Sequence, residues 1–316
     1  TLVESTRPDH RAEAEELLER GEYDRFVQRV NESSIVGVAQ EGDDMVVGGA
    51  DSRAVLLTMD EMYGGMKPTG IRDLDARLDG GGLGAGEMGI ILGLPGFHKT
   101  NILVNIGIGG IANGLRVAHF SLENNRKRIV TRYHCAMTDR AKSEVLMNPE
   151  ATLRDVDAFM ESTGGPGRLR ISYYPKNTCS LAMLEAKLKR WEAFGGWRPD
   201  VIVVDYGKVM KPVHDFDNTF RLQVAANYSG LGQLAGTWNA ALWTAQQADR
   251  ASFEGMSGGG VMSMKNAAET FEPVRDADVL ITANQTSGEK QEGVLRLHGA
   301  KVRESTTWLG MDSTGS

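Results

Sequence analysis

Residues 93–100 combine the residue types of a phosphate-binding loop. They read Gly-Leu-Pro-Gly-Phe-His-Lys-Thr and match G-x-x-x-x-G-K-[ST] except at the sixth position, where His98 replaces a glycine. In such loops, backbone N–H groups at a helix N-terminus surround the phosphate, the lysine binds phosphate oxygens and the hydroxyl binds Mg²⁺. Because glycine lets the backbone approach phosphate closely, we expect His98 to reduce affinity or turnover. The predicted phosphate contacts are Gly93, Pro95, Gly96, Phe97, His98, Lys99, Thr100 and Asn101.

Two acidic residues end apolar stretches elsewhere in the chain. Val201-Ile-Val-Val is followed by Asp205, and Val117-Ala-His-Phe-Ser-Leu by Glu123. At the carboxyl end of a strand, Asp205 would help Thr100 hold Mg²⁺, and Glu123 would orient and polarise an attacking water. Each has a structural alternative: Asp205 as the cap of a turn, and Glu123 as an acid at the start of the next helix.

Two further polar groups are candidates for sensing or stabilising a terminal phosphate. Gln247, or Gln246 as the second choice, follows the apolar run 240–244. Its amide could sense the terminal phosphate through a hydrogen bond that is lost on hydrolysis. The alternative is that this segment is a solvated loop. Lys301 and Arg303 share one face of an extended segment. Two cations at this spacing could reach the terminal phosphate bound by a neighbouring subunit. Two cations on an exposed strand edge, a device against aggregation, explain the same spacing.

The elements that must position these residues follow a regular order after residue 66. The pattern predicts strands at 88–93, 116–122, 169–174, 201–206, 240–246, 278–284 and 293–298. Helical patterns separate most of the first six, including 101–113, 124–137, 180–193 and 219–237. Alternating strands and helices predict a parallel sheet covered on both faces, and the last strand is also able to pair antiparallel.

Composition and length limit the class of protein. The 316 residues are 41% hydrophobic and 24% charged, as in globular proteins, and no apolar stretch approaches the roughly 18–20 residues of a membrane span. Two cysteines without a partner motif favour a reducing compartment, so we expect a cytoplasmic protein. The net charge of −7 argues against indiscriminate coating of nucleic acid but does not exclude DNA bound by inner loops.

The chain divides at about residue 60. Residues 8–31 are charged with apolar positions at helical spacing, and 32–60 are acidic and contain glycine, so we expect a helical N-terminal arm and linker over 1–60 and a core over 61–316. The arm either packs on the surface of the core or docks on a neighbouring subunit. Within the core, residues 251–273 form a long Gly/Ser/Met-rich stretch of the kind that is functional or disordered.

The ordered motifs resemble the C-terminal, RecA-like domain of DnaB-family replicative helicases, phage versions included. The resemblance covers roughly residues 66–304 and rests on seven landmarks in the family's order. They are 68–75 (Pro-Thr-Gly-Ile-Arg-Asp-Leu-Asp), the loop ending Lys99-Thr100, 120–123 (Phe-Ser-Leu-Glu), Asp205-Tyr206, 246–250 (Gln-Gln-Ala-Asp-Arg), 276–278 (Asp-Ala-Asp) and 301–303 (Lys-Val-Arg). It implies an α/β fold: a RecA-like P-loop NTPase core with a mainly parallel twisted sheet flanked by helices.

The resemblance also implies residue roles. ATP and Mg²⁺ would be the cofactors, with Glu123 as catalytic base, Asp205 as the Walker B acid and Gln247 as sensor. Lys301 and Arg303 would act on the ATP of the next subunit in a hexameric ring. The family's DNA-binding loops correspond to 208–221 and 251–273, where the candidate contacts to single-stranded DNA are Lys208, Lys211, Arg221 and Lys265.

Three functions therefore remain open from the sequence. The first is an ATP-dependent helicase or translocase on single-stranded DNA that acts in replication, with other replication proteins as candidate partners. The second is a RecA/RadA-like recombination ATPase, although we find no polymerisation motif in residues 1–60 that would favour filaments. The third is a degenerate member that binds DNA but hydrolyses ATP weakly, for which His98 is the main support.

Overall fold

The computed structural model describes residues 65–211, 220–248, 261–262 and 276–302, together with residues 17, 20–22 and 25. The chain forms two compact units. One contains Thr1–Met62 and Ser180–Arg198, and the other contains Tyr63–Cys179 and Pro199–Ser316. The predicted linker, Arg303, Lys265 and almost all of 251–273 lie outside the described residues, as does most of the predicted N-terminal arm.

A seven-stranded sheet forms the centre of the larger unit. Its strands are β1 (Met88–Gly93), β2 (Val117–Ser121), β3 (Leu169–Tyr173), β4 (Val201–Asp205), β5 (Ala241–Gln247), β6 (Val279–Asn284) and β7 (Arg296–Val302). The spatial order is β3-β2-β4-β5-β1-β6-β7, and all neighbours are parallel except β6 and β7. The predicted, mainly parallel α/β sheet is confirmed, with the last strand antiparallel.

Eight α-helices are described along the chain. They are α1 (Arg72–Asp75), α2 (Lys99–Ala112), α3 (Arg126–Thr138), α4 (Lys142–Met147), α5 (Pro149–Ser162), α6 (Leu181–Gly195), α7 (Phe220–Trp238) and α8 (Ser287–Gln291). The four predicted helices correspond to α2, α3, α6 and α7. Helix α6 lies in the smaller unit, where Ser180 caps it and the Trp191 and Trp197 rings meet edge to face. None of the described helices is long and apolar enough to cross a membrane.

Both faces of the sheet are buried along its inner strands. Val201 and Val203 of β4 belong to the apolar core that includes Leu103 and Ile106 of α2, whereas the alternate residues Ile202 and Val204 are buried outside that core. Side chains of adjacent strand residues point to opposite faces. The continuous apolar runs that predicted these strands are therefore the signature of a parallel sheet covered on two sides.

Helix α2 is held close to the segment before α1 by a glycine contact. A Cβ atom on Gly109 would lie 2.1 Å from the carbonyl oxygen of Thr69, so only glycine permits this approach. Thr69 is fully buried, and its hydroxyl donates to Asp75 over 2.6 Å. The segment 68–75 thereby fixes the helix that begins at the phosphate loop.

The structure differs from the predicted elements in two places. The last strand was predicted at 293–298 but runs from Arg296 to Val302, because Gly293 and Val294 donate to carbonyls of α8 and end that helix. Helices α4 and α5, like the short helices α1 and α8, were not predicted. Helix α5 begins at Pro149 and buries a stripe of Thr152, Val156 and Met160, which the charged residues between them obscure in the sequence.

Candidate active site

The phosphate loop joins β1 to α2 at the carboxyl edge of the sheet. Gly96 has φ 85°, and His98, immediately before α2, has φ 53° and ψ 25° in the left-handed region. His98 therefore takes a backbone conformation that suits glycine, at a cost of about 1–2 kcal/mol for a residue with a Cβ. Its exposed ring accepts a 3.4 Å hydrogen bond at Nδ1 from Asn101 Nδ2. The substitution leaves the turn of the loop intact.

Lys99 lies over the loop that precedes it. Its Nζ donates to the carbonyl oxygens of Gly93 and Leu94, both at 2.9 Å. Burial lowers the pKa of Lys99 to about 8, and the carboxylates of Asp205 and Glu123 oppose that decrease. The ammonium group is charged at pH 7 and partly desolvated, and its hydrogen bonds within the described residues are to carbonyl groups. An anion beside the loop would therefore stabilise it.

Thr100 and Asp205 meet at the ends of their elements. The Thr100 hydroxyl donates to Asp205 Oδ2 over 2.9 Å, although the residues are 105 positions apart. Asp205 is 1% exposed, and burial raises its pKa to about 6 against the lowering effect of the hydrogen bond from Thr100. A buried carboxylate beside a hydroxyl is a pair of hard oxygen donors, which fits Mg²⁺.

Asn124 joins this pair and was not identified from the sequence. Its Nδ2 donates to Thr100 Oγ1 at 3.4 Å and to Asp205 Oδ2 at 3.3 Å, and the Ser121 hydroxyl fixes its backbone through a 2.7 Å bond to the Asn124 carbonyl. The available signal was its position, directly after Glu123 at the end of a strand. An amide there can reach a carboxylate at the end of the neighbouring strand.

Glu123 lies between the ends of β2 and β4, and its partner is a lysine. The Leu122 N–H donates to the Asp205 carbonyl, which joins the two strand ends, and Lys176 Nζ lies 2.9 Å from Glu123 Oε1. Helix α3 is capped by Asn125, whose side chain accepts from the Arg128 N–H. The alternative in which Glu123 caps this helix is therefore wrong. The Glu123 carboxylate lies near enough to Lys99 and Asp205 to raise the pKa values of both groups.

The two glutamines at the end of β5 have different surroundings. Gln246 is buried, and its Oε1 accepts a 2.7 Å bond from the Tyr228 hydroxyl. Gln247 is partly exposed and pairs in register with Gly93, the first residue of the phosphate loop. Of the two, the side chain of Gln247 is the one that remains accessible beside the loop.

Lys301 lies away from these residues. Lys301 is on β7, opposite Leu280 of β6. Leu280 in turn pairs with Ile90 of β1, which lies three residues before the phosphate loop, so β7 is two strands away from the strand that leads into the loop. The structure therefore does not bring Lys301 to the Lys99 region of its own chain. Lys208 and Lys211 lie in the turn after β4. The side chains of Arg221 and Lys265, and all of Arg303, are outside the described residues.

A cationic cavity of about 750 Å³ adjoins the phosphate loop between α2, α3 and α4. Four cations line it, and within the described residues none of them is ion-paired with a carboxylate: Lys127, Arg128, Arg132 and Lys142. Arg132 donates to the Asn101 side chain, and its charge lowers the pKa of Asp205. In a chain with a net charge of −7, this local excess of positive charge suits an anionic ligand.

Comparisons with known proteins identify similar folds and a matching family. The fold is similar to a solved structure described as an ATPase domain, with a TM-score of 0.66 and 16% identity over 83% of this chain and 93% of that one. It is also similar to a DnaB-like replicative helicase solved to show its interactions with primase, with a TM-score of 0.65 and 15% identity over 94% of this chain and 70% of that one. No curated protein matches the sequence. The family model of the DnaB-like helicase C-terminal domain matches residues 65–292, and the chain therefore belongs to that family.

Proposed function

We propose that this protein is an ATP-dependent translocase on single-stranded DNA that acts as a helicase in replication. The observation that carries the proposal is the 2.9 Å contact between Thr100 Oγ1 and Asp205 Oδ2 beside Lys99, within a DnaB-like domain. Two oxygen donors for Mg²⁺, a lysine for phosphate and a nearby carboxylate are the groups that phosphoryl transfer requires. Residues 61–316 would form the motor, and 1–60 an arm.

Each group has a distinct role in the proposed hydrolysis. The backbone N–H groups of residues 93–98, except Pro95, which has none, bind the phosphates together with Lys99. The cationic cavity beside Asn101 accepts the rest of the nucleotide. Thr100 and Asp205 would hold Mg²⁺, which would neutralise charge on the phosphate oxygens. Asn124 holds that pair in place.

The oxygen of the attacking water bonds to the terminal phosphorus while the bond from that phosphorus to the bridging oxygen breaks and ADP leaves with the bridging oxygen. The proton of the water passes to a carboxylate oxygen of Glu123. Gln247, beside Gly93 in the sheet, senses the terminal phosphate through a hydrogen bond that hydrolysis removes. The Lys99 ammonium leaves the carbonyls of Gly93 and Leu94 to bind the phosphate, because an anion is a stronger partner than two neutral oxygens.

Assembly and DNA contact complete the proposal. In a hexameric ring, Lys301 and Arg303 would reach the nucleotide of the adjacent subunit, since β7 keeps Lys301 away from the site of its own chain. Lys208, Lys211, Arg221 and Lys265 would bind the DNA backbone in the central channel. The primase named with the similar helicase structure suggests a primase as a candidate partner, in the cytoplasm of a bacterial or phage-infected cell.

ATP hydrolysis with and without single-stranded DNA tests the proposal, with wild type compared to Lys99→Ala. We expect DNA to stimulate turnover and the substitution to abolish it, because no other described side chain replaces the ammonium group at the loop. Unwinding of a forked duplex then separates a helicase from a recombination ATPase, which would exchange strands instead. DNA binding without Lys99-dependent hydrolysis would establish the degenerate alternative based on His98.

A further inference from the structure

The carboxylate of Glu123 forms an ion pair with a lysine. Lys176 Nζ lies 2.9 Å from Glu123 Oε1, and the two side chains are 53% and 38% exposed. Lys176 belongs to the loop Tyr174–Cys179 that follows β3, which we call the 174–179 loop. The ammonium group occupies one of the two carboxylate oxygens that could receive a proton from the attacking water. The ion pair therefore opposes the role proposed for Glu123.

The 174–179 loop crosses the ends of three strands. It begins beside β2, where the Tyr174 N–H donates to the Ser121 carbonyl over 3.0 Å. It then reaches the turn after β4. There the Asn177 N–H donates to the Val209 carbonyl over 2.9 Å, and the Lys211 N–H donates to the Cys179 carbonyl over 2.8 Å. Two backbone hydrogen bonds thus join this loop to residues 209–211.

The turn at 207–211 is in turn attached to the elements around the site. It directly follows Asp205-Tyr206, and the Asn227 amide on α7 donates to the carbonyls of Gly207 and Met210 at 3.4 and 3.5 Å. The same turn carries Lys208 and Lys211, the two described candidates for DNA contact. A force on these lysines acts on the backbone that holds the 174–179 loop.

We propose that Lys176 is a positioning residue that restrains Glu123 until DNA binds the turn at 207–211. When Lys208 and Lys211 contact a DNA backbone, residues 209–211 shift. The two backbone hydrogen bonds transmit this shift to the 174–179 loop. Lys176 then moves away from Glu123. The carboxylate then accepts the proton of the attacking water. This inference rests on the proposed function, and it gives DNA-dependent hydrolysis a defined path through named contacts.

The size of the restraint follows from its exposure. Ion pairs between partly exposed side chains contribute about 0.2–1 kcal/mol, which corresponds to a change in rate of up to about 5-fold. Lys176 therefore sets part of the DNA stimulation and not all of it. The pair is also accessible to salt, so its effect declines at high ionic strength.

The test compares Lys176→Met and Lys176→Arg with wild type in ATP hydrolysis, without DNA and at saturating single-stranded DNA. We expect Lys176→Met to raise the DNA-free kcat about 2- to 5-fold, with the DNA-saturated kcat and the KM for ATP unchanged. Lys176→Arg should restore the wild-type ratio. Added salt should raise the DNA-free kcat of wild type more than that of Lys176→Met. The matched control is Arg198→Ala, which removes a 2.9 Å pair of similar exposure with Glu192.

The possible failures are distinguishable. If wild type hydrolyses ATP in a Lys99- and DNA-dependent way but Lys176→Met has the same DNA stimulation, the inference is overturned and the proposed function stands. An equal loss of DNA-free and DNA-saturated turnover in Lys176→Met also overturns it, because Lys176 would then support the reaction. No Lys99-dependent hydrolysis in wild type overturns the proposed function itself, and the inference with it.

Discussion

Replacing Asp205 with asparagine should stabilise the nucleotide-free protein while removing Mg²⁺-dependent function. Burial raises the pKa of Asp205 from 3.8 to about 6, so the folded protein at neutral pH contains a carboxylate that would be better solvated in the unfolded chain. At about 1.4 kcal/mol per pH unit, this difference corresponds to a cost of about 3 kcal/mol. Asparagine retains the oxygen that accepts from Thr100 and carries no charge.

The pH dependence has a definite sign. Between about pH 4 and 6 the folded state binds a proton at Asp205 that the unfolded state has released, so wild-type stability falls as pH rises through this window and is level above it. The gain from Asp205→Asn should therefore be largest at about pH 7.5, at up to about 3 kcal/mol, and should nearly vanish at about pH 4. For a domain of this size, melting temperature rises by about 2–4 °C per kcal/mol.

Thermal and denaturant unfolding without Mg²⁺ or nucleotide, at about pH 7.5 and pH 4, would measure the effect. Asp73→Asn, at an exposed position on α1, is the control and should change stability by no more than about 0.5 kcal/mol. Added Mg²⁺ and nucleotide should stabilise wild type by about 2.7 kcal/mol at a roughly hundredfold excess over Kd, and Asp205→Asn by much less. A variant that is no more stable than wild type at the higher pH, or equally stabilised at both pH values, would refute this reasoning.

Three other substitutions test contacts described above. Asn124→Ala should raise the Mg²⁺ concentration for half-maximal nucleotide binding about 2- to 10-fold, because it removes one hydrogen-bonding group. The control, Asn125→Ala, should cost about 1 kcal/mol of stability by uncapping α3 without changing that Mg²⁺ concentration. Equal Mg²⁺ curves for both variants would contradict the role of Asn124. Gly109→Ala should destabilise the fold by about 1–3 kcal/mol in denaturant unfolding, because the added Cβ would overlap the Thr69 carbonyl. A gain in stability would show that α2 and the backbone of Thr69 are not in tight contact. His98→Gly should leave nucleotide affinity equal to or higher than that of wild type in a binding titration, because glycine adopts φ 53° without strain. A roughly tenfold loss of affinity would show that the imidazole itself binds the nucleotide.

Local patterns in the sequence predicted most of the framework. The apolar runs before Gly93, Glu123 and Asp205 fixed the strands, and a parallel sheet must bring the carboxyl ends of its strands to one edge. The phosphate loop, the ends of the strands and the family were therefore accessible without coordinates. The loop and the strand ends required only near-neighbour spacing and one rule of connection, and the family followed from the resemblance of the ordered motifs to DnaB-family helicases.

Apart from the Thr100–Asp205 pair expected at the strand ends, side-chain partners distant in sequence were decided by the tertiary structure alone. Asn124 reaches Asp205, 81 residues away, and Lys176 reaches Glu123, 53 residues away, and no local pattern marks either amide or ammonium group. The choice between Gln246 and Gln247 also depended on the fold, because Tyr228 on α7 takes the first of them into the interior. Periodicity specifies which face of an element is buried, but register and packing between elements determine which polar groups meet there, and these depend on the whole chain at once.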